Sequence, residues 1–368
     1  MEATWSAPAT TPPALRRHRW STPATRGAFL AIYDSSVPGT SQRNDVNGDA
    51  HGHSISWPAL RAGVDALPGG NLTQDHTFDA AKASRTDTAH TRPAWRRVAS
   101  WARRGLHRIA TPVDRIVRWN SRTLLPPAHL RIYYYRTWDP AAFTRACEGA
   151  RAELTGRGLR PEHRVLDIGS GIGNLALGLV DYLHGGYDGI EIHPGAVAWC
   201  RREITTRYPT FRFHRADLAS GAYNPSGRTA ASRYRFPFSD HSFDVLFLGS
   251  VFTHMLPDDV EAYVHEIARV LVPGGMCVAS YFLLNDETRT GVNAGRSFLS
   301  FAVPHPSGLC RLHDETRPEA AVALEESFVR RIHDQAGLRI RDIRRGGWWH
   351  GGQDDQDVVT AEPNPKEN

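Results

Sequence analysis

The run Arg164-Val-Leu-Asp-Ile-Gly-Ser-Gly-Ile-Gly-Asn174 decides the reading of this chain. Its apolar start, ending in Asp167 and Ile168, has the character of a short strand buried on both faces, the kind found in parallel sheets. Gly169, Gly171 and Gly173 then let the backbone turn tightly and come close to a ligand. A helix opening at Asn174 would present free N–H groups to that ligand.

The glycines alone do not separate two classes of nucleotide site. Gly171-Ile-Gly173-Asn-Leu-Ala176 also satisfies the G-x-G-x-x-G/A pattern of dinucleotide-binding enzymes. The flanks decide: the strand ends in an acid, and Gly169-Ser170 precedes the pattern. A carboxylate facing the turn repels a pyrophosphate and suits a positively charged ligand. With these flanks the segment resembles motif I of the class I S-adenosylmethionine-dependent methyltransferases, whose cofactor carries a sulfonium, an ammonium, a carboxylate and an adenosine, and no phosphate.

Alternating elements surround the motif. A helix is expected from Pro140, behind the N-cap Asp139, to about Gly156. Strands follow at Val165–Ile168, Tyr187–Ile192, Phe211–Arg215, Phe243–Leu248 and Met276–Leu284. Helices Asn174–Leu183, Pro194–Tyr208 and Pro257–Leu271 lie between them, and Pro273-Gly274-Gly275 turns the chain into the fifth strand. The aperiodic stretch Asn285–Arg317 is read as a partial lid, and Glu319–Gln335 as a helix. Leu338–Ile343 and Asp357–Ala361 complete the pattern. The predicted architecture is α/β, a Rossmann-like doubly wound seven-stranded sheet whose last strand is antiparallel, as the resemblance also implies. The domain is placed at residues 124–363, followed by a tail at 364–368.

Before it, residues 1–91 are rich in Ala, Thr, Ser, Pro and Gly with no sustained period, and read as a disordered extension. Residues 92–123 read as a basic amphipathic helical segment, with Arg96, Arg97, Arg103, Arg104, Arg108, Arg115 and Arg118 against the single acid Asp114. Residues 95–119 thus suggest peripheral contact with an anionic membrane or an acidic partner. The whole chain, with 44 basic and 39 acidic residues, is only +5, and nucleic acid is not expected as a partner. Four scattered cysteines without a C-x-x-C pair fit neither a disulfide framework nor a zinc site, and with no apolar leader the expected setting is the cytoplasm. No metal is expected.

In open sheets of this kind, ligands bind at the carboxyl ends of the strands. Besides Asp167, Gly169, Ser170, Gly171, Gly173 and Asn174, the candidate cofactor residues are Glu191 and Ile192. Glu191 lies 20 residues past Gly171, where a carboxylate can accept from both ribose hydroxyls. Asp217 and Leu218 resemble the pair that reads the adenine, and Ser250 stands at the seam between cofactor and acceptor. His254, in Ser-Val-Phe-Thr-His-Met255, is the candidate general base; its alternative use is to hold that loop in shape. Tyr134 and Tyr135 on one side, and Trp348, Trp349 and His350 on the other, are candidate walls of the acceptor pocket. Ser-Val-Phe-Thr-His-Met together with Gln356-Asp-Val-Val359 is closest in character to bacterial type-11-like small-molecule methyltransferases, which implies methyl transfer to an oxygen or nitrogen of a sugar or secondary metabolite. The competing readings are an NAD(P)-dependent oxidoreductase, for which Tyr-x-x-x-Lys is missing, and a protein or nucleic-acid methyltransferase.

Overall fold

The structure, a computed structural model, describes residues 114, 118, 124–135, 139–221, 223–351 and 355–365. The disordered reading of 1–91, nearly all of the basic segment 92–123 and most of the tail fall outside the described residues. Of the basic segment, Asp114 and Arg118 are described. Asp114 is buried; its carboxylate accepts from Ala128 N at 3.0 Å and pairs with Arg131 at 3.0 Å and Arg118 at 3.2 Å. It therefore fastens the start of the first described helix, α1 (Ala128–Tyr135).

Helix α2 (Pro140–Gly156) begins where its cap predicts, with Asp139 accepting from Ala141 N. Then come β1 (Val165–Ile168), α3 (Asn174–Leu179), β2 (Tyr187–Glu191), α4 (Pro194–Cys200) and β3 (Phe211–Arg215). The helix expected to run to Tyr208 stays α-helical only to Cys200 and widens into a π-helical turn over Arg201–Thr205. Strand β4 (Phe243–Leu248) leads through the 3₁₀ turn Phe252–His254 to α5 (Pro257–Val270) and β5 (Leu271–Tyr281). The Pro-Gly-Gly turn lies inside β5: pairing with β4 jumps from Phe243↔Leu271 to Val245↔Met276, so the turn is absorbed as a bulge.

Past β5 the chain departs from its sequence reading. The run read as one strand to Leu284 ends in a separate β6 (Leu283–Leu284), and the stretch read as a lid holds α6 (Asp286–Asn293), β7 (Val303–Pro304) and β8 (Cys310–Leu312). The helix expected from Glu319 is instead a 3₁₀ turn at Pro318–Ala320, strand β9 (Val322–Glu325) and helix α7 (Glu326–Gln335). The short strands form a second sheet, ordered β6-β9-β8-β7. Side-chain alternation is the reason: Val322 and Leu324 enter the main core while Ala321 and Ala323 face the cluster of Phe282, Phe301 and Trp348. A segment buried on both faces at period two is stabler as a strand than as a helix.

Strands β10 (Leu338–Arg344) and β11 (Asp357–Pro363) complete the main sheet, ordered β10-β11-β5-β4-β1-β2-β3. Its first five strands in sequence are parallel, while β11 runs antiparallel to both β5 and β10. Helices cover both faces. Leu166, Ile168, Leu246 and Leu248 meet α5 and α7 on one side; Val165, Val245 and Phe247 meet α2, α3 and α4 on the other. The order of the chain reverses between β1 and β4, which opens a crevice at their carboxyl ends. Among the described residues no helix is long and apolar enough to cross a membrane.

Candidate active site

A cavity of about 690 Å³ occupies that crevice. This lies within the roughly 300–1,000 Å³ typical of small-molecule sites. One lobe is built by the ends of β1 and β2. Gly171 has φ +53°, and a Cβ there would stand 3.2 Å from Tyr134 Cε1. Gly173, φ +77°, is the N-cap of α3, and its Cβ would meet Ile204 Cδ1 of the π-helical turn at 2.6 Å. Side chains are therefore excluded from the turn by backbone conformation and by contact alike.

Glu191 is buried and locked in place: one carboxylate oxygen accepts from Gly171 N at 2.8 Å, the other from His193 N at 2.7 Å. Burial raises its pKa, and the two backbone N–H bonds pull it back. Each oxygen retains a lone pair, so the group can still accept from a vicinal diol. Asp167, one strand across, takes a 2.5 Å hydrogen bond from the Tyr187 hydroxyl. Burial pushes its carboxyl up to about 7, opposed by the Tyr187 bond and helped by the nearby Glu191 charge. The Tyr134 hydroxyl is buried beside the Glu191 carboxylate, and burial and that negative charge raise its pKa.

These features fit S-adenosylmethionine. A glycine cradle, a diol-accepting carboxylate and a second, buried carboxylate match main-chain groups, ribose and ammonium. Pyrophosphate has no such match. Six carboxylates line the cavity (Glu148, Glu153, Asp167, Glu191, Asp259 and Glu319) against one described cation, Arg145.

The second lobe lies beyond β4. Ser250, with φ +56°, lines it, donates its N–H to Ser280 Oγ at 2.7 Å and its hydroxyl to Gln356 Oε1 at 3.1 Å. His254 closes the far wall. Its Nδ1 is 3.1 Å from the Glu319 carbonyl and its Nε2 3.2 Å from the Tyr223 hydroxyl; burial drives its pKa down to about 4.

Most sequence candidates converge here. Asp167, Gly169, Gly171, Asn174, Glu191, Ile192, Leu218, Ser250, His254, Tyr134 and Tyr135 line the cavity. Gly173 and Ser170 support it from behind: Ser170 is buried, and its carbonyl accepts from Gly173 N. Asp217 is turned away. Its carboxylate binds Arg228 at 2.7 Å and lies 3.7 Å from Arg215, and these arginines hold its pKa low. Trp348, Trp349 and His350 do not line the cavity. Trp348 is fully buried against Phe282 and Phe301, with its indole N–H donated to Asp357 at 2.8 Å, because Asp357 also gathers Leu283 N and Gly346 N into one knot. Tyr223, Glu319, Asp259 and Tyr263 enter the site unannounced by any motif. Tyr223 lies in the loop after β3, Asp259 and Tyr263 on α5 beyond β4, and Glu319 in the 3₁₀ turn before β9.

The doubly wound sheet with its antiparallel last strand matches the Rossmann-like fold of methyltransferases. Residues 166–279 match the family model described as a methyltransferase domain. A demethylmenaquinone methyltransferase from Beutenbergia cavernae is 29% identical over 203 residues, 54% of this chain and 70% of that one. Similar solved structures include the PH0226 protein of Pyrococcus horikoshii (15% identity, TM-score 0.43, covering 60% of this chain and 91% of that one). A second is a 1,6-didemethyltoxoflavin-N1-methyltransferase of Burkholderia thailandensis solved with S-adenosylhomocysteine (18% identity, TM-score 0.40, covering 62% and 82%).

Proposed function

We propose that the chain transfers a methyl group from S-adenosylmethionine to an oxygen or nitrogen of a small molecule, with a hydroxyl of a sugar or secondary metabolite as the favoured acceptor. The observation that carries this reading is the pairing of the locked Glu191 carboxylate with a second, polar lobe in the same cavity. When bound, S-adenosylmethionine supplies a methyl group made electrophilic by its positively charged sulfur.

The chain's own residues supply place and environment. Glu191 orients the ribose, Asp167 receives the ammonium, and the glycine turn lets the backbone N–H groups approach. Phe247, Val251 and Met255 give the cavity apolar wall between its lobes, which strips water from a nucleophile as it enters. The carboxylate-rich lining disfavours phosphorylated or carboxylated acceptors and accepts neutral or cationic ones.

Calorimetry with S-adenosylhomocysteine and, separately, NAD tests the cofactor. Binding of the first and not the second is expected, and replacement of Gly171 by valine, which is strained at φ +53°, should abolish it. Uptake of NAD in place of S-adenosylhomocysteine refutes the reading.

A further inference from the structure

Two backbone N–H groups grip the Glu191 carboxylate, those of Gly171 and His193, and helix α1 rests on the same two residues. The Tyr134 ring stands over Gly171, where an added Cβ would meet Tyr134 Cε1 at 3.2 Å and Cδ1 at 3.4 Å. The Tyr133 ring packs on the His193 imidazole with centroids 4.9 Å apart, and Tyr134 meets that imidazole edge-on at 6.2 Å. The two tyrosines touch each other edge-to-face at 5.0 Å, so they cover the turn as one unit. Tyr134 and Tyr135 line the cavity together with Glu191. Helix α1 is therefore the ceiling of the first lobe at the end where Glu191 stands.

A helix of 8 residues is too short to hold itself, and needs outside contacts. Leu130 packs into the core, and Tyr135 lies edge-on to Phe143 of α2 at 5.9 Å. The start of α1 is held from further along the chain. Asp114, 14 residues before Ala128, accepts the Ala128 N–H at 3.0 Å on one carboxylate oxygen and the Arg131 guanidinium at 3.0 Å on the other. The Ala128 N–H is one of the donors that a helix start leaves without an intrahelical partner. Arg131 also donates to Pro126 O at 2.6 Å, which ties the guanidinium to the residues leading into the helix. Asp114 and Arg131 are both buried, and taking one partner from a buried pair disturbs a structure far more than breaking an exposed one. Arg131 and Tyr134 are three residues apart, neighbours on one face of α1, so a displaced guanidinium displaces the tyrosine.

We propose that Asp114 is a positioning residue for the cofactor: through Arg131 and the start of α1 it holds Tyr134 against Gly171 and over Glu191. A carboxylate shielded from water in this way grips a ribose diol more firmly, since a hydrogen bond gains strength in low-dielectric surroundings. Asp114 does not line the cavity, so its effect reaches the cofactor only by way of α1. This role rests on the methyltransferase reading, which supplies the ribose.

A double-mutant cycle separates this role from plain stability. Wild type, D114A, D114N, Y134A and the double variant D114A/Y134A are titrated calorimetrically with S-adenosylhomocysteine, and denaturant unfolding of each is followed in parallel. D114A and Y134A should each weaken binding about 10-fold, with the double variant within about two-fold of the weaker single one, because residues that act through one contact do not add. D114N keeps an acceptor oxygen and should lose less. Affinity of D114A within about two-fold of wild type, or losses that multiply to about 100-fold in the double variant, overturns the proposal and leaves the cofactor reading standing. Should D114A not fold, D114N takes its place in the cycle, and the same non-additivity is expected. If D114N does not fold either, Asp114 is a residue of global stability and the proposal fails. A folded wild type that does not bind S-adenosylhomocysteine overturns the methyltransferase reading and this proposal with it.

Discussion

Tyr187 and Asp167 face each other across neighbouring strands, the phenol donating to the carboxylate at 2.5 Å in a fully buried setting. That single bond does not cancel the cost of burying the charge, and the carboxyl sits at about 7. A cationic ammonium arriving beside it favours the ionised form. Affinity for S-adenosylhomocysteine should therefore rise with pH from 6 to 8, with proton release that calorimetry detects as a dependence on buffer ionisation enthalpy. Asp167→Asn removes the titration; a wild type whose affinity is flat across this range contradicts the argument.

Glu191 holds the glycine turn, and under the proposed function it also takes the ribose of the cofactor. Truncation to alanine deletes the diol acceptor and leaves the N–H groups of Gly171 and His193 without their carboxylate. Charged hydrogen bonds of this kind are each worth about 1.5–3 kcal/mol. We expect E191A to weaken S-adenosylhomocysteine at least about 100-fold, the equivalent of some 2.7 kcal/mol. Glutamine, which keeps an acceptor oxygen, should lose less. Equal loss in both variants would mean that charge alone matters there.

The first half of this fold is legible in the chain because each strand there obeys one rule. Val165–Ile168, Phe211–Arg215 and Phe243–Leu248 are short apolar runs bounded by turn residues, and each was predicted with the bounds it has. The place of Glu191 beside the glycine turn is legible from its spacing, since β2 returns the chain to the end of β1, where its carboxylate accepts from Gly171 N. The second half mixes signals. Val322–Glu325 abuts an amphipathic helix, and a strand of four residues disappears into the longer helical period. Asp217 shows the limit of position-based reading: the residue is where the resemblance puts it, but Arg228, 11 residues later, captures the carboxylate. Tyr223 and Glu319 belong to loops brought together only by tertiary packing, for which no local period exists.

Trp348 was expected at the acceptor and packs in a core, which makes a sharp distinction testable. W348F keeps the ring contacts with Phe282 and Phe301 but removes the indole donor from Asp357 Oδ2, which still accepts from Leu283 N at 2.9 Å. Loss of one buried hydrogen bond and some volume costs about 1–3 kcal/mol. Denaturant unfolding should register that loss, while S-adenosylhomocysteine affinity stays within about two-fold. A variant as stable as wild type that binds the cofactor poorly would place the indole back at the site.

Acid should unfold this domain through its histidines. His254 and His333 are both driven by burial from 6.5 down to about 4. In the unfolded chain each takes a proton near pH 6.5, whereas in the fold neither does until about pH 4, so stability holds above pH 6.5 and drains away between 6.5 and 4. A shift of that size corresponds to about 3 kcal/mol per histidine at the acid end. Asp167 works in the opposite sense: its folded carboxyl takes up a proton near pH 7, the unfolded one only near 3.8, and acidification across that window stabilises the fold by about 4 kcal/mol. The two histidines together exceed the offset from Asp167. A bound ammonium keeps Asp167 ionised and removes the offset, so the acid loss should be steeper with S-adenosylhomocysteine present than without it. Among the described residues His333 hydrogen-bonds only to Val329 O, within its own helix, which makes it the cleaner residue to replace. Denaturation midpoints of wild type and H333L at pH 7, 5.5 and 4.5 should converge as pH falls, with H333L losing less; parallel curves would show that the buried imidazole is not what acid attacks.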